Sequence, residues 1–258
     1  MTVLTPHPTT ADLIRSVVVA LLAILQVLVA ALAGSAIGEV ARSVDTPLLA
    51  ASWAFSIWSL IYLGFVVYAV YALLPGQRGR AIHRRVGWWL AATAVANALW
   101  ILAFSHRWVV TAELLLIALV VALAVTYSRL SRDHAQDLTE QLAFRLPLSI
   151  YLGWSSVALV LGLMAAGVSV GLPAEGVLPQ VGAILLLVIL TAVVLSVIGS
   201  SAGFAGFAAA VVWALVGIVA NDRPIAVTAV AAIAAAVVAV QAARRIGRSV
   251  QPLRLALG

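Results

Sequence analysis

The most constraining feature of this sequence is a recurring apolar run of about 20 residues, broken each time by a short polar link. As a helix, such a run matches the roughly 30 Å hydrocarbon core of a bilayer. Eight runs are read this way: residues 15–38, 52–74, 86–104, 109–128, 146–168, 180–199, 203–220 and 224–243. The period-2 alternation of a lipid-facing barrel strand is absent. Apolar residues make up 64% of the 258 and charged residues 9%, with a mean hydropathy of +1.16. Soluble domains hold roughly 45–50% and about 25%, so a water-soluble fold would leave far too much apolar surface uncovered. The expected fold is all-α, a polytopic membrane helix bundle of about eight transmembrane helices.

The links carry turn chemistry. Pro75-Gly76 ends the second run, and Asn221-Asp222-Arg223-Pro224 precedes the eighth. Gly199-Ser200-Ser201-Ala202-Gly203 is the weakest boundary: it reads as a turn between two helices or as a kink in one long segment. Residues 16–30 also have a second reading, as the apolar core of a signal peptide with Ala31-Leu32-Ala33 as its cleavage site. The run continues through Ala36-Ile37, which favours a spanning helix.

Every basic residue is arginine, and the net charge of +6 is a matter of topology rather than of nucleic-acid binding. With the N-terminus inside, the inner segments hold twelve of the fifteen arginines and the outer ones hold Arg42, Arg107 and Arg223. Arginine resists translocation, so an even number of spans with both termini cytoplasmic is expected, in an integral plasma-membrane protein of bacterial type. The absence of lysine excludes Schiff-base chemistry, and the absence of cysteine excludes thiolate metal sites and disulfides. The histidines (His7, His83, His106 and His134) all fall in predicted tails or loops. No metal-ligand spacing, cofactor motif or nucleophile–base pair appears, and a non-enzymatic role is expected.

The aromatic residues are unevenly placed. Six of the eight tryptophans lie between positions 53 and 108. Trp53, Trp88, Trp89 and Trp108 sit near predicted helix ends and suit an interfacial belt. Trp58, Trp100, Trp154 and Trp213 sit deeper, where an indole N–H needs an acceptor or a ligand. Phe55, Trp58, Tyr62 and Phe65 follow a 3-4-3 spacing and form one helical stripe, either plain helix packing or the wall of a pocket. Asn97 and Trp100 share a face, as do Tyr151 and Trp154. Glu113 lies one turn into the fourth helix. It is expected to snorkel toward the outer surface near Arg107, with a proton-coupling carboxylate as the alternative. Gly34 and Gly38 form a GxxxG pair that permits close helix contact.

Three of these segments resemble the tryptophan-rich sensory protein family, also called the TspO/MBR or translocator protein family. Trp53-Ala54-Phe55-Ser56-Ile57-Trp58 with Tyr62 is similar to its second-helix signature, Asn97-Ala98-Leu99-Trp100 with Phe104 to its third-helix motif, and Pro147, Tyr151, Trp154 and Ala158 to its fifth-helix pattern. The resemblance covers roughly residues 15–168. The chain departs from it where the family has a proline (Ser56 or Ile57 here) and a late fifth-helix asparagine (Leu161 or Gly162 here). Residues 39–51 make a short first loop for a ligand lid. The resemblance implies a five-helix unit over residues 1–168, three additional helices over 169–243 and a basic cytoplasmic tail over 244–258, as in longer members. It also implies a membrane-embedded binder, sensor or transporter of a flat hydrophobic ligand, tetrapyrrole-like or sterol-like, with porphyrin among the candidates. Trp53, Phe55, Trp58, Tyr62, Asn97, Trp100, Tyr151 and Trp154 would form the cage, with no catalytic residue, metal or resident cofactor. Alternatives are a secondary transporter and a regulatory or structural subunit of a membrane complex. The partners expected are lipid and a hydrophobic small molecule. Small-residue faces also allow a homodimer, and no nucleic acid is expected.

Overall fold

Thr9 opens the first helix with a reciprocal cap. Its Oγ1 accepts from the Asp12 amide at 3.3 Å, and its own amide donates to Asp12 Oδ2 at 3.0 Å, which satisfies two N–H groups that the helix itself leaves unpaired. The computed structural model describes residues 8–44 and 46–258, with the side chains of residues 34–36 and 38 outside that description. The Gly34–Gly38 pair and His7 therefore lie outside the described residues.

The long helices are α1 (Thr10–Ser43), α2 (Ile57–Leu73, entered through a 3-10 turn at Ser52–Ser56), α3 (Ala81–Ser105), α4 (Val109–Leu130), α5 (Leu146–Ser169), α6 (Val177–Ser200), α7 (Ala205–Val219) and α8 (Ile225–Gly247). A short α9 (Pro252–Leu257) closes the chain, and no strand occurs among the described residues. The protein is a polytopic helical membrane bundle. Two boundaries differ from the hydropathy reading in ways that matter. The first helix continues past residue 38 to Ser43, so the link to α2 is shorter still. The third begins at Ala81, which moves His83 from a loop into a helix, buried and stacked on Phe144 at 5.6 Å.

Seven helices among the described residues are long and apolar enough to cross a bilayer. The exception, α7, has 15 residues, about 22 Å at 1.5 Å per residue. It tolerates this length because protein, rather than lipid, surrounds much of it. Phe207, Val211, Ala214 and Ile218 are buried, and protein partners meet the backbone at both ends: the Gly203 amide donates to Leu255 O, and Gly217 O accepts from the Ala51 amide, each at 2.9 Å. Irregular backbone at membrane depth survives when it is covered in this way. The 199–203 segment is accordingly a true break. Ser201 is extended at φ −115 and ψ 157, and its carbonyl accepts from Arg245 at 2.8 Å.

Helices α1, α2, α5, α4 and α3 pack in that order as a closed ring. On the outside of the ring, α7 lies along α5 and touches the 3-10 turn; α8 packs on α7, and α6 packs mainly on α8. At α7 the approach is close enough to require glycine: a Cβ on Gly217 would stand 2.6 Å from Ala54 Cβ. The additional helices thus reach the segment that joins α1 to α2.

Candidate ligand-binding site

The 3-10 turn and α2 turn Phe55, Trp58 and Tyr62 toward α1, and between these elements lies a cleft of about 1010 Å³. Val27, Ala30, Ile37 and Ala41 of α1 form its other wall. Trp100 reaches it from α3, while Asn221 and Arg223 reach it from the α7–α8 link. The aromatic wall is a continuous column. Tyr62 stacks on Trp58 (5.6 Å, 20°), Trp58 on Trp100 (5.3 Å, 29°) and Trp100 on Phe104 (5.7 Å, 19°). Offset stacks of this kind contribute roughly 0.5–1.5 kcal/mol each beyond area burial, so the column holds its shape as one body.

Behind the column stand Tyr151 and Trp154 of α5, edge-on to Trp58 at 5.9 and 6.2 Å. Both are fully buried and neither lines the cleft. They stand behind the column with respect to this cleft. Phe65 likewise turns into the bundle, against Tyr151 and Tyr68. Trp53 goes elsewhere: it is 43% exposed and meets Trp213 edge-on at 4.8 Å. The depth of Trp213 is explained by its indole N–H, which donates to Ala54 O at 2.9 Å. Trp88 and Trp108 are exposed, and Trp89 lies under the Arg129 guanidinium at 5.4 Å.

Asn97 does not reach the cleft directly. Its Nδ2 donates to Gln26 Oε1 at 3.2 Å and, more weakly, to Tyr62 OH at 3.5 Å, so the cleft's phenol is linked to a buried amide pair. Gln26, fully buried in α1, was missed in the sequence because a single glutamine inside a long apolar run carries no periodic signal. The place to have looked was its polarity at membrane depth, where a lone amide must find a partner.

This chain matches the family described as TSPO-like protein over residues 12–243. It belongs to that family. The match runs past the five-helix ring and includes nearly all of α6, α7 and α8, so the added helices are part of the family likeness. No curated protein and no solved structure matches the chain.

Beyond the column a second, smaller cavity of about 60 Å³ shares Ile37, Ala41, Leu49, Phe55, Trp58 and Trp100 with the cleft. Glu113 lines it. The snorkelling expectation is overturned here: Glu113 is only 6% exposed, and Arg107 donates instead to Ser43 Oγ at 3.1 Å. The α4 face that carries Ala112, Leu116, Leu119 and Leu123 packs into the bundle, and it takes Glu113 with it. Among the described residues no hydrogen bond reaches this carboxylate, and Oε1 is buried without a partner. Trp154 Nε1 and Tyr151 OH are unpartnered as well. No cluster of three metal-ligating side chains occurs among the described residues.

Proposed function

We propose that this TSPO-like membrane protein is a non-catalytic binder of a flat hydrophobic ligand, held in the cleft between α1 and α2, and that it acts as a sensor or carrier of that ligand. The observation that carries this reading is the Tyr62–Trp58–Trp100–Phe104 column walling a cavity of about 1010 Å³. Ligand pockets combine an apolar, aromatic lining with a few polar anchors. Here the anchors are Tyr62 OH, with Gln26 and Asn97 behind it, and the Ser52, Ser59 and Asn221 side chains on the rim. Trp58, half-buried between its stacking partners Tyr62 and Trp100, lines the cleft, and a planar ligand would pack along the side of the column. A tetrapyrrole or sterol-like skeleton suits the size of the cleft.

The test is a titration of the protein in nanodiscs with metal-free protoporphyrin, read by tryptophan quenching. Saturable quenching is expected, weakened about tenfold in Trp58→Ala, as loss of the central ring of the aromatic wall implies. Quenching that matches protein-free nanodiscs plus free tryptophan, or that is identical in Trp58→Ala, would remove the reading.

A further inference from the structure

The cavity behind the aromatic column holds an acidic group that the hydrophobic-ligand reading leaves unused. Glu113 stands about 6 Å below the start of α4, and its carboxylate has no hydrogen-bond donor among the described residues. Among the described residues, no lysine, arginine or histidine lines this cavity. Phe55, Trp58, Trp100, Phe104 and Trp154 supply its aromatic surface, and the rest is mostly aliphatic. Helix α5 makes room for the carboxylate at Gly162, where any Cβ would collide with Glu113 Oε2. A carboxylate withdrawn from water without a partner is costly. A small cation would offset that cost, and ring faces attract cations in addition.

Resting on the cleft reading above, we infer that the cleft and the Glu113 cavity form one composite site for a hydrophobic ligand bearing a basic amine, with the planar body against the Trp58 column and the ammonium group beside Glu113. The two cavities share six lining residues and so adjoin, and a molecule that reached across them would have its body on one side and its head group on the other. The smaller, at about 60 Å³, is the size of a head group rather than of a ring system. The ammonium would donate to the free Glu113 oxygens while Trp100, Phe104 and Trp154 surround it. Glu113 then selects among flat hydrophobic molecules by charge.

The experiment uses the full chain in nanodiscs and two probes, 1-(aminomethyl)pyrene and 1-(hydroxymethyl)pyrene, read by energy transfer from tryptophan and corrected for partition into empty nanodiscs. The wild-type chain should bind the amine about tenfold more tightly than the alcohol. That ratio should fall toward one in Glu113→Gln and recover in part in Glu113→Asp. Gly162→Ala, which keeps the carboxylate but takes its seat, should also lower the ratio and gives an independent measure should Glu113→Gln not fold. Equal binding of the two probes by the wild-type chain, as expected if Glu113 merely holds its own proton, overturns this inference and leaves the cleft reading standing. A ratio unchanged in Glu113→Gln overturns it too. Failure of the wild-type chain to bind either probe sinks the cleft reading and this inference together.

Discussion

The two ends of the bundle are built on different principles. At the end where α1 begins and α8 finishes, charges are paired at depth. Asp12 caps α1 and accepts from Arg15 at 2.8 Å and from Arg84 at 2.6 and 2.9 Å. Glu140, fully buried, takes both Arg80 and Arg145, and Arg145 also donates to Leu130 O and Asp133 O at 2.9 and 2.7 Å. A π-helical turn at Gln141–Arg145 opens α5 here. Pro147 has no N–H to offer Ala143 O, and the wider turn carries Arg145 inward to Glu140. Among the described residues, the ion pairs with a buried carboxylate lie at the first end and not at the opposite one. Among the described residues, hydrogen bonds tie the α1–α2 connection to α7 and the link after it: Asn221 to Leu49 O at 2.7 Å, Arg223 to Thr46 O at 2.8 Å and the Ala51 amide to Gly217 O at 2.9 Å. The cleft, the Glu113 cavity and several unpartnered buried polar atoms lie toward this end. At the paired end the unmatched atoms, Arg80 Nε, His83 Nε2 and Arg145 Nη2, belong to side chains already held by other partners, whereas at the cleft end Glu113 is unpartnered beside open space.

That contrast can be broken by experiment. Glu140→Gln removes one charge from a buried triad and strands two arginines, a class of change that costs about 3–5 kcal/mol. Unfolding in mixed micelles should show a loss of that order, while the folded fraction should still bind ligand at the far end. If ligand affinity falls in step with stability, the two ends are not independent. Asn221→Ala deletes one tie at the cleft end and should cost about 1 kcal/mol. Its signature is local, with faster hydrogen exchange over residues 46–54 and unchanged exchange around Arg84 and Arg145. Uniform acceleration would mean that the connection is not a separate opening unit. The smallest effect belongs to Arg85→Ala. The Arg85–Asp133 pair is half-exposed, at 55% and 42%, and such pairs contribute under about 1 kcal/mol. An unfolding loss as large as that of Glu140→Gln would show that burial is not what separates strong pairs from weak ones here.

Much of the architecture was legible in the sequence, and the reason is solvation. A helix exposed to acyl chains must be apolar for about 20 residues, so the runs at 52–74, 109–128 and 146–168 mark α2, α4 and α5 closely. The same logic misjudged α7 in length and α3 in its start, because protein cover lets α7 be short and lets the buried His83 sit inside a helix. Within the candidate site, the 3-4 spacing placed Phe55, Trp58 and Tyr62 on one face, and the structure brings all three to the cleft with Trp100. The same spacing could not say that Phe65 turns away, that Tyr151 and Trp154 stand behind the column, or that Trp53 pairs with Trp213. Those outcomes depend on which neighbour each face meets.

By itself, the sequence determined that this chain lives in a bilayer as a bundle of helices, because the number and length of its apolar runs admit no other solvent. It also determined that tryptophan, tyrosine and asparagine would be available at membrane depth, since residue type and position along a helix do not depend on packing. Only the tertiary structure decided which way they point. Glu113 is the plainest case: one turn into α4 it had the lipid surface, the water interface and the bundle interior within reach. Helix α5 offered a seat beside Gly162, and the rotation of α4 about its own axis, set by the packing of Leu116, Leu119 and Leu123, turned the carboxylate inward.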